Sequence, residues 1–317
     1  MMAVTTNSSA QCILTRPYRH EDDFWRVRDL LVQTFPITGL GFNWDIRRWD
    51  GSNFHDGDPA AREAWRSKIH LWETADGRLA GVAHDEGAPG YPQLQIHPDY
   101  RHLVEADMIA WAEAYLAGTT EDGKRFVSLY VYEYDFPRRR LLAERGYQKL
   151  EAGWVHRRMY LGNRPLPEPV MADGYTLRTT DPTDAGDCDQ IAALLNAAFN
   201  RQLHKGEDFA AFGQHAPCFR QDLHLAAVAP DGTFASHVGV IYDEINRRGL
   251  YEPVCTHPDH RRRGLAQTLM LEGQHRTKAL GARQITVETG DAIPANCLYE
   301  SIGFTEAYQG YAWRKVW

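Results

Sequence analysis

No stretch of this sequence approaches the roughly 18 to 20 uncharged apolar residues that span a bilayer, so a membrane-spanning helix is not expected. The opening MMAVTTNSSAQCILTRPYRHEDD meets charged residues before any apolar run of signal-peptide length, and the expected location is cytoplasmic. Cysteine is sparse: Cys12, Cys188, Cys218, Cys255 and Cys297 are odd in number, widely spaced and free of any C-x-x-C pair. That argues against both a disulfide framework and a zinc site. Positive charge is in deficit, with 35 Lys and Arg against 42 Asp and Glu for a net charge of -7. Nucleic acid and anionic membrane surfaces demand a basic face, so neither is expected as a partner. G-x-S-x-G, H-E-x-x-H and Walker loops are missing, and His257 and His260 have no further ligand set, so no metal is expected.

At 317 residues the chain is long enough for two domains, and it contains a repeat. IHPDYRHLVEA at 96–106 lies ungapped over THPDHRRRGLA at 256–266, at an offset of 256 - 96 = 160. FPRRRLLAERGY, ending at Tyr147, lies over IPANCLYESIGF, ending at Phe304, at an offset of 304 - 147 = 157. Asp76-Gly77 and Asp231-Gly232 mark hairpin turns in corresponding places. Between the copies runs GNRPLPEPVMADG, whose Pro165, Pro167 and Pro169 favour an extended, semi-rigid connector. The expected division is 11–161, a connector at 162–173, and 174–317. In the second copy the patterning predicts strands at 175–181, 222–229, 234–242 and 249–256, helices over 187–199 and from 264, and a strand at 282–288. A short helix from Pro294 and two final strands, near 304–308 and 311–316, follow. The fold class is α+β, each copy a twisted, mostly antiparallel mixed sheet flanked by helices.

The stretch THPDHRRRGLAQTLM is chemically the most informative. A strand that stops, turns through Arg261, Arg262, Arg263 and Gly264 and enters a helix gathers unpaired backbone N–H groups at the positive end of the helix dipole. Such a place binds phosphate. Gly264 lets a pyrophosphate approach the backbone, Ala266 keeps the next turn small, and the arginines add counter-charge. Leu265, Ala266, Leu269, Met270 and Gly273 form one apolar helix face.

V-x-T-H-P-x-x-R-R-R-G-L-A followed by A-N-x-L-Y-x-x-x-G-F resembles motifs A and B of the GNAT superfamily of acyl-CoA-dependent N-acyltransferases, with Arg261, Gly264 and Ala266 meeting its [QR]-x-x-G-x-[GA] signature. The resemblance implies a tandem GNAT protein that uses acetyl-CoA as cosubstrate and a small-molecule primary amine as acceptor, the amine attacking directly without an acyl-enzyme. It places the coenzyme against Val254, Cys255, Thr256, Arg261, Arg262, Arg263, Gly264, Leu265, Ala266 and Asn296. A backbone N–H near Val254 or Cys255 is implied to face the thioester oxygen, where the strand irregularity marked by Pro253 should splay it from its neighbour. Tyr299 is implied as the general acid. Glu252 is the first candidate for the base, since it alternates onto one strand face with Val254 and Thr256; Asp243, Glu244 and Glu288 are alternates. Cys255 and Cys297 read as buried structural thiols.

The first copy departs from this pattern. Val104 stands for Gly264, where its branched side chain would crowd a phosphate; Leu142 stands for Tyr299, and Arg139 for Asn296. It is read as a degenerate copy that stabilises the second or walls its acceptor pocket. Trp44, Trp49, Trp65 and Trp72 read as core, and NRQLHKGED after Phe199 as loop or pocket lining. Two other functions remain open: an acyl-CoA-binding sensor without transfer, and a transferase like mycothiol synthase, whose architecture is similar. Monomer and homodimer are both compatible with the sequence.

Overall fold

The structure, a computed structural model, describes residues 12–163, 165–290 and 292–317. The expected domain start at residue 11 and connector residue 164 lie outside the described residues. The first half runs β1 (Ile13–Pro17), α1 (Glu21–Thr34), α2 (Ile46–Phe54), α3 (Pro59–Arg66), β2 (His70–Thr74), β3 (Leu79–His84), β4 (Gln93–Ile96), α4 (Arg101–Tyr115), β5 (Gly118–Thr119), β6 (Arg125–Tyr132), α5 (Phe136–Glu144) and β7 (Gln148–Tyr160). The second runs β8 (Thr176–Thr179), α6 (Ala185–Phe199), α7 (Gly206–His215), β9 (His224–Val228), β10 (Phe234–Asp243), β11 (Arg248–Thr256), α8 (Leu265–Ala279), β12 (Gln284–Gly290), α9 (Ile293–Ser301) and β13 (Glu306–Val316). The repeat seen in the sequence therefore recurs as a repeated order of strands and helices.

β1 to β4 form a four-stranded sheet, and the remaining strands form a nine-stranded sheet in the order β5-β6-β13-β7-β12-β11-β10-β9-β8. The halves exchange their last strands. β7 of the first half lies between β12 and β13 of the second, pairing Glu288 with His156 on one edge and Tyr308 with His156 on the other. β13 in turn lies between β6 and β7, with Gly310 opposite Tyr132 and Trp154. Met159 and Leu161 of the first half pack into the core of α8, β10 and β12. Phe212, Ile241 and Leu250 of the second pack with Phe24, Trp49 and Trp65 of the first.

Two local expectations change. The two final strands are one, because β13 is paired along both edges and bends only at a bulge between Tyr311 and Trp313. Gly310, near the centre of β13, is required by packing: a Cβ there would meet the Trp154 ring at 2.7 Å. The stretch read as loop or pocket lining leads into a helix, α7, whose Asp208 carboxylate accepts the Lys205 N–H at 3.3 Å and whose Phe209 and Phe212 are buried. The proline connector is also docked: Thr268 donates to the Val170 carbonyl at 2.7 Å, a His275 ring nitrogen lies 3.0 Å from the Pro167 carbonyl, and Leu166 is buried.

Candidate active site

Gly264 stands at the β11–α8 connection with φ +77°, and a Cβ placed on it would meet no protein atom within 4 Å. The left-handed backbone conformation itself favours glycine here, and the space beside it is open. Arg262 is also left-handed, at φ +62°. The first intrahelical bond runs from Thr268 N–H to Gly264 O at 2.9 Å, and no backbone acceptor among the described residues takes the N–H groups of 262–267. Arg261 is fixed across the turn by bonds to the carbonyls of Ala198 (2.8 Å) and Thr256 (3.4 Å). α8 buries Leu265, Leu269, Met270 and Gly273, and Gly281 closes it at φ +94°.

β11 pairs in parallel with β12 only as far as Tyr251 opposite Val287, so the two strands part beyond that point. The other side of β11 stays paired to β10 through a bulge between Val238 and Val240, beside Pro253. Into the fork opens a cavity of about 410 Å³, lined by Val254, Cys255, Thr256, Arg261, Arg262, Gly264, Leu265, Ala266 and Tyr299. The open amides and arginines of this cavity suit an anionic group, and its remaining walls are apolar. Arg263 does not line it.

Tyr299, on α9, is only 5 % exposed. Burial, helped by Cys255 nearby, pushes its phenol up to about 12, so it stays protonated at neutral pH. Burial likewise drives the Cys255 thiol up to about 12, which leaves it inert as a nucleophile. Cys297, expected to be buried, is exposed, because it lies on the outer side of α9. Asn296 is turned away from the cavity: its amide oxygen accepts from Arg157 at 2.8 Å, and its NH2 donates to the carbonyls of Gly290 and Ala292.

Glu252 lies where the two strands begin to part, 35 % exposed, with Arg47 of α2 at 3.9 Å. Glu288 is its neighbour on β12, since the register ends one residue earlier on both strands. Around Glu288 stand Arg48 at 3.4 Å, the Tyr132 hydroxyl at 3.5 Å and a His156 ring nitrogen at 3.8 Å. Burial holds His156 below the usual histidine range. Glu288, Tyr132, His156, Trp154 and Trp44 line a second cavity of about 280 Å³. Sequence reasoning did not single out Arg47, Arg48, Tyr132, Trp154 or His156, because they come from α2, β6 and the exchanged strand β7, and such long-range packing leaves no local signal. Asp243 bonds Asn246 (2.8 Å), and Glu244 lies on the exposed turn after β10.

In the first copy the phosphate turn is gone. α4 begins at Arg101, so residues 105–107, the counterparts of 265–267 at the 160 offset, lie inside a formed helix with their N–H groups committed. Val104 does not crowd a phosphate, as expected from the sequence; it is fully buried in the first-half core, because its turn is helical and faces inward. Glu105 replaces Leu265 and accepts from Arg138 at 2.5 Å and Arg101 at 2.7 Å, while Arg101 also donates to Asp135 at 2.7 Å. The copy's own carboxylates thus engage the arginines near that helix start.

Residues 223–306 match the acetyltransferase (GNAT) domain family. A mycothiol acetyltransferase of Thermobispora bispora is 29% identical over 239 residues, covering 72% of this chain and 77% of that protein. One of Segniliparus rotundus is 26% identical over 264 residues, covering 75% and 91%. Among solved structures, a tandem GNAT protein from the clavulanic acid biosynthesis pathway superposes with a TM-score of 0.65 at 16% identity, covering 96% of this chain and 98% of that one. A GCN5-related N-acetyltransferase from Sphaerobacter thermophilus gives 0.62 at 20% identity, covering 96% and 95%.

Proposed function

We propose that this chain is a GNAT-type acetyltransferase whose carboxy-terminal copy transfers an acetyl group from acetyl-CoA to a primary amine of a small molecule, the two substrates being bound together. The observation that carries this reading is one cavity holding both the unpaired amides after β11 and the buried, protonated Tyr299. Acetyl-CoA supplies the activated acyl group. Residues 261–266 hold its anionic end through backbone N–H groups and guanidinium charge. The parted edge of β11 at Val254 to Thr256 orients the acyl arm and offers N–H donors where negative charge develops. Tyr299 holds the proton that the departing thiolate needs; transfer from a phenol raised to about 12 is uphill and depends on positioning. Glu252, at the fork, takes the proton of the incoming ammonium directly or through water. The amino-terminal copy, with its turn made helical and its arginines self-paired, holds no coenzyme.

The test is release of free thiol from acetyl-CoA, followed colorimetrically across aminoglycosides, polyamines, amino acids and peptides. Steady release with at least one amine is expected. Tight coenzyme binding with no release from any amine would make the protein an acyl-CoA sensor instead.

A further inference from the structure

The second cavity shares no lining residue with the first, yet it lies beside the fork where Glu252 and Glu288 stand. Its walls come from β4 and β6 of the first copy, from α2 and the turn before it, and from β7 and β12. β4 and β6 belong to different sheets and share no pairing among the described residues. By the repeat offsets they are the counterparts of β11 (256 - 160 = 96) and β12 (288 - 157 = 131), so this cavity is the parted strand pair of the first copy. Its phosphate end is closed by α4 and by Arg101, Glu105, Asp135 and Arg138, and its middle has stayed open.

We propose that this disused cleft of the amino-terminal copy is the acceptor chamber of the carboxy-terminal copy, taking a small protonated amine with a ring-shaped or apolar body, anchored at Glu288. The proposal rests on the transfer reading above and names the substrate class of the same site. Three features converge on it. The chamber adjoins the live fork, because Glu288 is the first residue of β12 beyond the last β11–β12 pair. Its chemistry suits a cation: Glu86, on the far side of Arg48 at 3.5 Å, and Glu288 at 3.4 Å share one guanidinium, leaving carboxylate in excess. Aromatic rings line it, Trp44, Tyr130 and Trp154, the last two packed edge-to-face at 4.4 Å, and an ammonium or a ring settles against such surfaces. The volume of about 280 Å³ sits at the small end of ligand pockets, which run roughly 300 to 1,000 Å³, and excludes a folded peptide. Arg48, His156 and Tyr132 all belong to the first half, so that half positions the carboxylate that anchors the substrate of the second. They are positioning residues; Glu288 touches the amine.

Two measurements on the full-length chain test this. With the best amine from the thiol-release panel, Glu288→Gln and Tyr130→Ala should each raise KM for the amine roughly tenfold or more while KM for acetyl-CoA stays unchanged. Tyr130 is exposed enough at 41% for its truncation to spare the fold. Independently of turnover, benzylamine titrated against tryptophan fluorescence should bind, and Glu288→Gln should weaken it by a similar factor. Because that titration needs no transfer, a protein that binds benzylamine through Glu288 yet releases no thiol would refute the transfer reading and keep the chamber. An amine KM and a benzylamine affinity that both ignore the two substitutions would overturn the proposal. So would calorimetry showing a second equivalent of acetyl-CoA whose binding Tyr130→Ala removes.

Discussion

At the scale of single residues, the two copies differ most where one keeps Gly264 and Tyr299 and the other has Val104 and Leu142. Tyr299→Phe removes the only proton its ring offers while keeping the packing against Phe304, 6.0 Å away between centroids. Turnover should fall by roughly 10² to 10⁴ with little change in coenzyme affinity, and steady-state kcat is the measurement. An unchanged kcat would take the phenol out of the mechanism. Gly264→Val forces a β-branched residue to φ +77°, a conformation that costs roughly 1 to 2 kcal/mol even for an unbranched side chain. The amides after β11 should then lose their alignment, and acetyl-CoA titrated by calorimetry should give no measurable heat of binding. The sequence motif marked this glycine without telling which cause requires it, since Gly and a left-handed turn leave the same letter as Gly and a close approach. Asn296 shows the reverse problem: its helical spacing from Tyr299 was legible, but its partner, Arg157, sits 139 residues away on a strand of the other half.

At the scale of elements, four residues that are turn in one copy and helix in the other separate a cradle from a closed end. α4 begins at Arg101 and α8 at Leu265, although the sequences align without a gap. The presence of the turn was legible in Arg-Arg-Arg-Gly; its loss in the first copy was legible only as a missing glycine. The exchange of β7 and β13 was not legible at all, because strand patterning records which face is buried and carries no record of the neighbouring strand. It has a testable result. A protease site inserted at the exposed residues 162–163 should give, after cleavage, two fragments that elute as one species in size-exclusion chromatography and part only in denaturant. Fragments that separate in plain buffer would contradict the pairing of β7 with both β12 and β13.

At the scale of the whole molecule, several histidines lie inside. Burial lowers His84 and His237 to about 4 and His55 to about 3. The unfolded chain takes up protons near pH 6.5, where the folded one does not. These groups therefore contribute stability that is fully present above about pH 6.5 and is lost as pH falls toward 4, at about 1.4 kcal/mol per pH unit for each. Thermal denaturation should show Tm falling steeply across that window, and His237→Leu should flatten the curve. An acid limb as gentle as that of a chain without buried imidazoles would contradict this. The substitutions that set the two copies apart were readable in the sequence, whereas the second cavity was not, since its walls come from six elements distant in sequence.

Crossed arms also make each half depend on the other. A gene that discarded its amino-terminal half would leave β12 and β13 with bare edges, open to pairing with other chains. Neither half could then be lost or replaced without exposing backbone that the other now covers.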